Sequence, residues 1–100
     1  MNPENIIKSS VTTIQNGVAR ADGKLYVTEK NINFAPYNKE LGLGPYELKR
    51  REVSKVEKCL GKGGGIFRVT SDAIQITLVD GSKYQFILSN PKEWLSLLSN

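Results

Sequence analysis

Gly23-Lys24-Leu25-Tyr26-Val27-Thr28-Glu29-Lys30-Asn31-Ile32-Asn33-Phe34-Ala35-Pro36 sets the fold class of this chain. Leu25 and Val27 stand two residues apart, as do Ile32 and Phe34, and side chains at that spacing share one face of a strand. The polar break Glu29-Lys30-Asn31 separates the two runs. Together they predict an antiparallel hairpin with Leu25, Val27, Ile32 and Phe34 turned inward. Pro36 has no amide proton to give to a ladder, so the second strand ends there or lies at an edge. Asp22-Gly23 reads as a turn just before the first strand.

Upstream, residues 9–14 are rich in Val, Thr and Ile and suit a strand. Asn16-Gly17 closes it, because both residues tolerate positive φ. Ile6 and Ile7 are expected to pack as a short lead-in. Residues 1–8 are read as that lead-in and residues 9–100 as the domain.

Downstream, residues 38–44 form a loop. Tyr46 and Leu48 restart an alternation, and Val53 and Val56 lead into Val56-Glu57-Lys58-Cys59-Leu60. Propensity alone would allow a helix over residues 47–52. The alternation on either side favours strand, turn, strand. Residues 61–65 hold four glycines in five positions, which reads as a flexible loop. A short strand over residues 66–70 and a turn at Ser71-Asp72 follow. Ile74, Ile76 and Leu78 then alternate with polar residues, Asp80-Gly81 signals a two-residue hairpin turn, and Tyr84, Phe86 and Leu88 alternate on the return. A slip of one residue would turn all these side chains to water, so the register is well specified.

The chain closes on a helix. Asn90 is placed as N-cap, Pro91 fits the first helical position, and Glu93 stands where a capping-box carboxylate would. Trp94, Leu97 and Leu98 fall on one face. So short a helix is marginal alone in water and must be held by packing. Trp94→Ala is therefore expected to be among the most damaging substitutions. Strands without βαβ alternation exclude a doubly wound nucleotide-binding sheet.

One hundred residues make one domain. No secretory signal is visible at the start and no apolar run approaches membrane-spanning length, so the expected compartment is the cytoplasm. The basic residues leave room for peripheral membrane attachment. Cys59 is the single cysteine and histidine is absent, which excludes an internal disulfide, the usual zinc sites and Ser–His or Cys–His catalysis. Cys59 reads as a small apolar residue in or beside a strand. Carboxylates scattered over turns and polar faces offer no facing pair for acid–base work. No enzyme activity, cofactor, metal or small-molecule substrate is expected.

Several of these residues resemble the signature of the GRAM branch of the pleckstrin-homology-like fold. Residues 23–36 look like its early hairpin: a glycine, an aromatic-containing strand ending in Thr, then a strand ending near Phe and Pro. Leu48, Val53 and Val56 are similar to its spaced aliphatics, residues 74–86 to its late hairpin, and Glu93-Trp94 to the start of its terminal helix. The likeness spans residues 11–98. It implies a mainly β fold, a barrel of two nearly orthogonal antiparallel sheets with about seven strands, capped by one C-terminal α-helix. It also implies a non-catalytic binding module. Asn31 departs from the pattern, being polar where many relatives carry a basic or aliphatic residue. Arg20 and Lys24 flank Asp22 and do not make the basic pair that phosphoinositide-binding members use, so that recognition is not carried over.

Fourteen Lys and Arg against ten Asp and Glu give a net charge of +4. Lys49, Arg50 and Arg51 are contiguous, with Lys55, Lys58 and Lys62 nearby and Glu47, Glu52 and Glu57 interleaved. The ordinary reading of such a stretch is a solvated face. The functional one is a site for an anionic lipid headgroup or an acidic partner, carried by Lys49, Arg50, Arg51, Lys55 and Lys58. Nucleic acid is disfavoured because Tyr26, Phe34, Tyr84 and Phe86 are placed inward, leaving few rings for base stacking. Tyr37 and Tyr46 flank the loop over residues 38–44 and form a candidate protein interface. The first expectation is thus a protein-interaction or self-association module, using an open sheet edge or these tyrosines, and the second a peripheral module for anionic lipid.

Overall fold

The computed structural model describes residues 5–17, 19–62 and 69–99, with side-chain environments undescribed at 61, 62 and 69–71. The described residues form seven strands and one α-helix: β1 (Lys8–Asn16), β2 (Ala19–Val27), β3 (Asn31–Pro36), β4 (Tyr46–Lys49), β5 (Val53–Lys62), β6 (Val69–Leu78), β7 (Lys83–Leu88) and α1 (Pro91–Leu98). The strands form a single antiparallel sheet in the order β4-β3-β2-β1-β7-β6-β5. The sheet curls on itself. Phe34 on β3 and Phe86 on β7 are two strands removed from being neighbours, yet their rings lie 5.7 Å apart. α1 packs against β5 and β6. The expected mainly β fold of about seven antiparallel strands capped by one C-terminal helix is the observed architecture, with the two expected sheets continuous as one sheet curled into a half-barrel.

The deciding hairpin forms as read. Leu25 pairs with Phe34 and Val27 with Ile32, and all four side chains are buried. They join Ile14, Leu48, Ile74, Ile76, Phe86, Leu88, Trp94 and Leu98 in one core. Full burial of such side chains stabilises by roughly 1.5–3 kcal/mol each. Trp94 is 1% exposed. The region over residues 46–60 is strand, a 3-10 turn at Arg50–Glu52, and strand.

Asp22-Gly23 is not a turn. Both residues lie inside β2, where Asp22 pairs with Thr13 and Gly23 with Thr12 on one side and Pro36 on the other. Glycine stands there for close packing: a Cβ at residue 23 would lie 2.8 Å from the Phe34 ring and collide with the Ala35 carbonyl. Ser71-Asp72 is likewise within a strand. Cys59 pairs with Ala73 while Gly61 pairs with Thr70, so β6 carries an extra residue where a turn was expected. The local polarity is absorbed by a bulge. Gly61 and Lys62 extend β5 as strand, whereas Gly63, Gly64, Gly65 and the expected strand start at residues 66–68 lie outside the described residues.

The β6–β7 connection is wider than two residues. The Leu78 amide donates to the Ser82 carbonyl at 2.8 Å and the Gly81 amide to the Leu78 carbonyl at 2.9 Å. Gly81 takes φ +92°, the positive value that three-residue hairpin loops need. Asn90 precedes the helix, but its own backbone is left-handed and its side chain makes no cap. Glu93 does not reach back in a capping box and pairs instead with Lys8 at 3.4 Å. Tyr26 alternates with Leu25 and Val27 and is half-buried on the opposite face, not inward. Ile7 joins the sheet through its amide, bonded to the Val27 carbonyl at 2.8 Å, yet the Ile6 and Ile7 side chains are exposed and do not pack as a lead-in.

On the face away from the core, Gln15, Gln85, Gln75 and Glu57 stand in register across β1, β7, β6 and β5. Their side chains are linked end to end at 2.7, 2.8 and 3.4 Å. Gln15 also donates to the Leu60 carbonyl at 3.0 Å. Such cross-strand pairs hold register where no apolar contact does.

Candidate functional site

The turn between β2 and β3 is closed by Thr28. Its amide donates to the Asn31 carbonyl at 2.9 Å and its hydroxyl accepts from the Asn31 amide at 3.1 Å. Asn31 pairs with Lys49 across β3 and β4, and the ladder runs one step further, the Arg50 amide donating to the Lys30 carbonyl at 2.9 Å. The segment Glu29-Lys30-Asn31 is therefore laid beside Lys49-Arg50-Arg51. Between them runs a groove of about 460 Å³ lined by these six residues. Glu29 is the only carboxylate among them.

Arg50 builds the groove more than it decorates it. One guanidinium nitrogen donates to the carbonyls of Thr28 at 3.1 Å and Glu29 at 3.2 Å. The other donates to the Leu97 carbonyl at 3.2 Å. Leu97 is in the last turn of α1, where carbonyls lack intrahelical donors and a cation also suits the helix dipole. One side chain thus ties the β2–β3 turn, the β4–β5 turn and the helix C-terminus together, a task for a planar fork of donors.

The five basic residues read from the sequence separate in space. Lys49, Arg50 and Arg51 line the groove. Lys55 lies along β5, exposed, and pairs with the half-buried Glu57 at 3.4 Å. Lys58 lines a different recess, with Asp72, Asn90, Lys92 and Glu93. Lys30 and Asn31 are groove residues that sequence reasoning passed over as a polar break. The signal was present in the β3–β4 register, since pairing Ile32 with Leu48 brings residue 30 next to residue 50.

The two candidate tyrosines also part. Tyr37 is 64% exposed, anchored by its amide to the Asp22 carbonyl at 3.0 Å. Tyr46 is half-buried and meets Tyr84 edge-on, ring centroids 5.3 Å apart, so β4 and β7 approach each other through these rings. Cys59 is half-buried on β5. Burial, and then the Glu57 carboxylate, push its thiol pKa up. Among the described residues no group of three His, Cys, Asp or Glu could hold a metal ion, and no helix is long and apolar enough to cross a membrane.

No protein-family model matches the chain, and no curated protein does. Solved structures do. The C-terminal domain of an unknown protein from Leishmania infantum is similar at a TM-score of 0.71 and 17% identity, over 95% of this chain and 81% of that one. The DH/PH domains of p115-RhoGEF (R399E mutant) match at a TM-score of 0.71 and 7% identity, over 96% of this chain and 30% of that one. Both likenesses carry the fold alone. The fold is pleckstrin-homology-like. What a domain of this fold does is a property of its surface and not of its fold.

Proposed function

We propose that this domain is a binding module of the GRAM type that takes an anionic, phosphate-bearing group in the groove between the β2–β3 and β4–β5 turns. The observation that carries the reading is the gathering of Lys30, Lys49 and Arg51 around one groove whose walls are fixed by Arg50. Cations already held near one another lose little freedom when an anion arrives, so less of the attraction is spent on ordering. Titration with pyrophosphate, followed by amide chemical shifts, tests it. Shifts are expected at residues 29–31 and 49–51 and are expected to vanish in the Lys30→Glu, Lys49→Glu, Arg51→Glu triple variant. Equal shifts in the variant, or none in the wild type, would overturn the reading.

A second reading, a protein-binding or self-associating module, is favoured by Tyr37 and Leu41, both exposed on the β3–β4 loop. Edge pairing is the weaker route to it. β5 forms one edge of the sheet, but an irregularity between Val53 and Lys55 and the exposed Lys55 and Lys58 blunt it. Light scattering over a range of concentrations, with Tyr37→Ser and Leu41→Ser, separates the two. A mass that rises with concentration and falls back in these variants supports this second reading. A constant monomer mass with no protein captured counts against it.

A further inference from the structure

Three successive carbonyls of the β2–β3 connection accept hydrogen bonds from one residue. The Arg50 amide donates to the Lys30 carbonyl at 2.9 Å, and one guanidinium nitrogen donates to those of Thr28 and Glu29. The other guanidinium nitrogen holds the Leu97 carbonyl, 47 residues further along the chain. α1 carries no basic residue in its own last turn, so the cation that matches the C-terminal end of its dipole comes from Arg50. That turn is lightly held otherwise. Leu98 is buried, but Leu97 is half-buried and Ser99 is exposed, its amide closing on the Leu95 carbonyl at 3.0 Å. Helix ends of this kind open locally at little cost in free energy. In the open form the bond between Arg50 and Leu97 is lost.

The groove runs between the two walls that Arg50 joins. Lys30 stands on one wall, Lys49 and Arg51 on the other. An anion bridging them favours the spacing of the walls at which the Thr28 and Glu29 carbonyls aim the guanidinium at Leu97. We propose that the groove and the last turn of α1 are coupled through Arg50, which acts as a positioning residue. An anion held across the groove steadies the helix end, and an opened helix end loosens the groove. This rests on the anionic-groove reading above and adds its regulation. The coupling is reciprocal by linkage, and its size is the difference in anion affinity between the docked and opened forms of the turn.

Amide hydrogen exchange of the full chain, in pyrophosphate and in sodium chloride of equal ionic strength, tests it. Pyrophosphate is expected to slow exchange at residues 97–99 by about fivefold or more. It should leave Gly42 unchanged, whose amide bonds the Lys39 carbonyl in a loop that does not line the groove. In Arg50→Lys, pyrophosphate should still shift the amides of residues 49–51 while the slowing at residues 97–99 disappears. Lys30→Ala is the second check. It keeps the backbone carbonyl that Arg50 uses and removes the cation from one wall, so the slowing should again disappear although the bond to Leu97 is intact. A merely structural Arg50 would leave the helix end indifferent to pyrophosphate. Groove shifts in the wild type without slower exchange at residues 97–99 overturn the coupling and leave the groove reading intact. Slowing that survives in Arg50→Lys or Lys30→Ala, or that is equal at Gly42, overturns the coupling too. Absence of any groove shift in the wild type defeats both.

Discussion

The ring of Phe34 occupies the space that any side chain at residue 23 would need: a Cβ on Gly23 would lie 2.8 Å from two of its carbons. β2 and β3 pair across this contact, with Gly23 opposite Pro36 and Leu25 opposite Phe34. Phe34 is thereby free to lean over its own sheet and meet Phe86 on β7.

Gly23→Ala should therefore be costly although Gly23 has an ordinary strand conformation. The added methyl forces either the Phe34 ring or the Ala35 backbone to shift, and overpacking of this kind costs about 1–3 kcal/mol. Urea unfolding followed by circular dichroism is expected to show a loss near the upper end. A loss below about 0.5 kcal/mol, the range of surface substitutions, would mean that the core yields easily there.

Trp94→Ala should cost about 3–5 kcal/mol, the range for removing a fully buried large aromatic. The indole is buried on the core side of α1, with the Lys8 ammonium 5.5 Å from its ring centre. That ammonium sits near the surface, so Lys8→Ala should cost less than about 1 kcal/mol. Chemical denaturation of both variants checks the ranking.

Arg50→Lys separates a builder of the groove from a ligand for anions. It keeps the charge and loses the fork, so the bonds to Thr28, Glu29 and Leu97 cannot all be remade. A loss of about 2 kcal/mol is expected from broken charge-assisted bonds, whereas Lys49→Ala and Arg51→Ala should stay within about 0.5 kcal/mol. Amide hydrogen exchange in the last turn of α1 should quicken in Arg50→Lys alone. Similar stabilities for all three variants would contradict the assignment.

Asp80 provides a pH signature. The Ser82 amide donates to its carboxylate at 2.8 Å, and this bond, followed by the Ser82 hydroxyl, lowers the Asp80 pKa. A carboxylate with a depressed folded pKa stabilises the fold at neutral pH and loses that contribution as pH falls from the ordinary carboxylate range through the folded value. Asp80→Asn should thus be less stable than wild type at pH 7, with the gap closing in acid. Unfolding midpoints measured from neutral to strongly acidic pH should converge. A gap that widened in acid would have the wrong sign.

The parts of the fold legible in the sequence are those where pattern and packing agree. Leu25, Val27, Ile32 and Phe34 read as inward and are inward, as are Ile74, Ile76, Phe86 and Trp94. Misreadings fall on residues whose local preference was overruled by neighbours. Asp-Gly makes a turn at Asp80-Gly81, where chain reversal is free to follow local chemistry. At Asp22-Gly23 the same pair is held straight between β1 and β3. Ser71-Asp72 is held in the same way by β5, which leaves it only a bulge. Half of the candidate groove was legible as a basic run. Lys30 was not, because its partner lies twenty residues on.

Alternation of side chains along the strand is a property of neighbours in sequence, so the chain alone determined that this is a β domain with one amphipathic terminal helix. Which cations share a groove, and that Arg50 is bonded to three carbonyls, depend on register and curl. Those are settled by contacts between distant residues, and only the tertiary structure decides them.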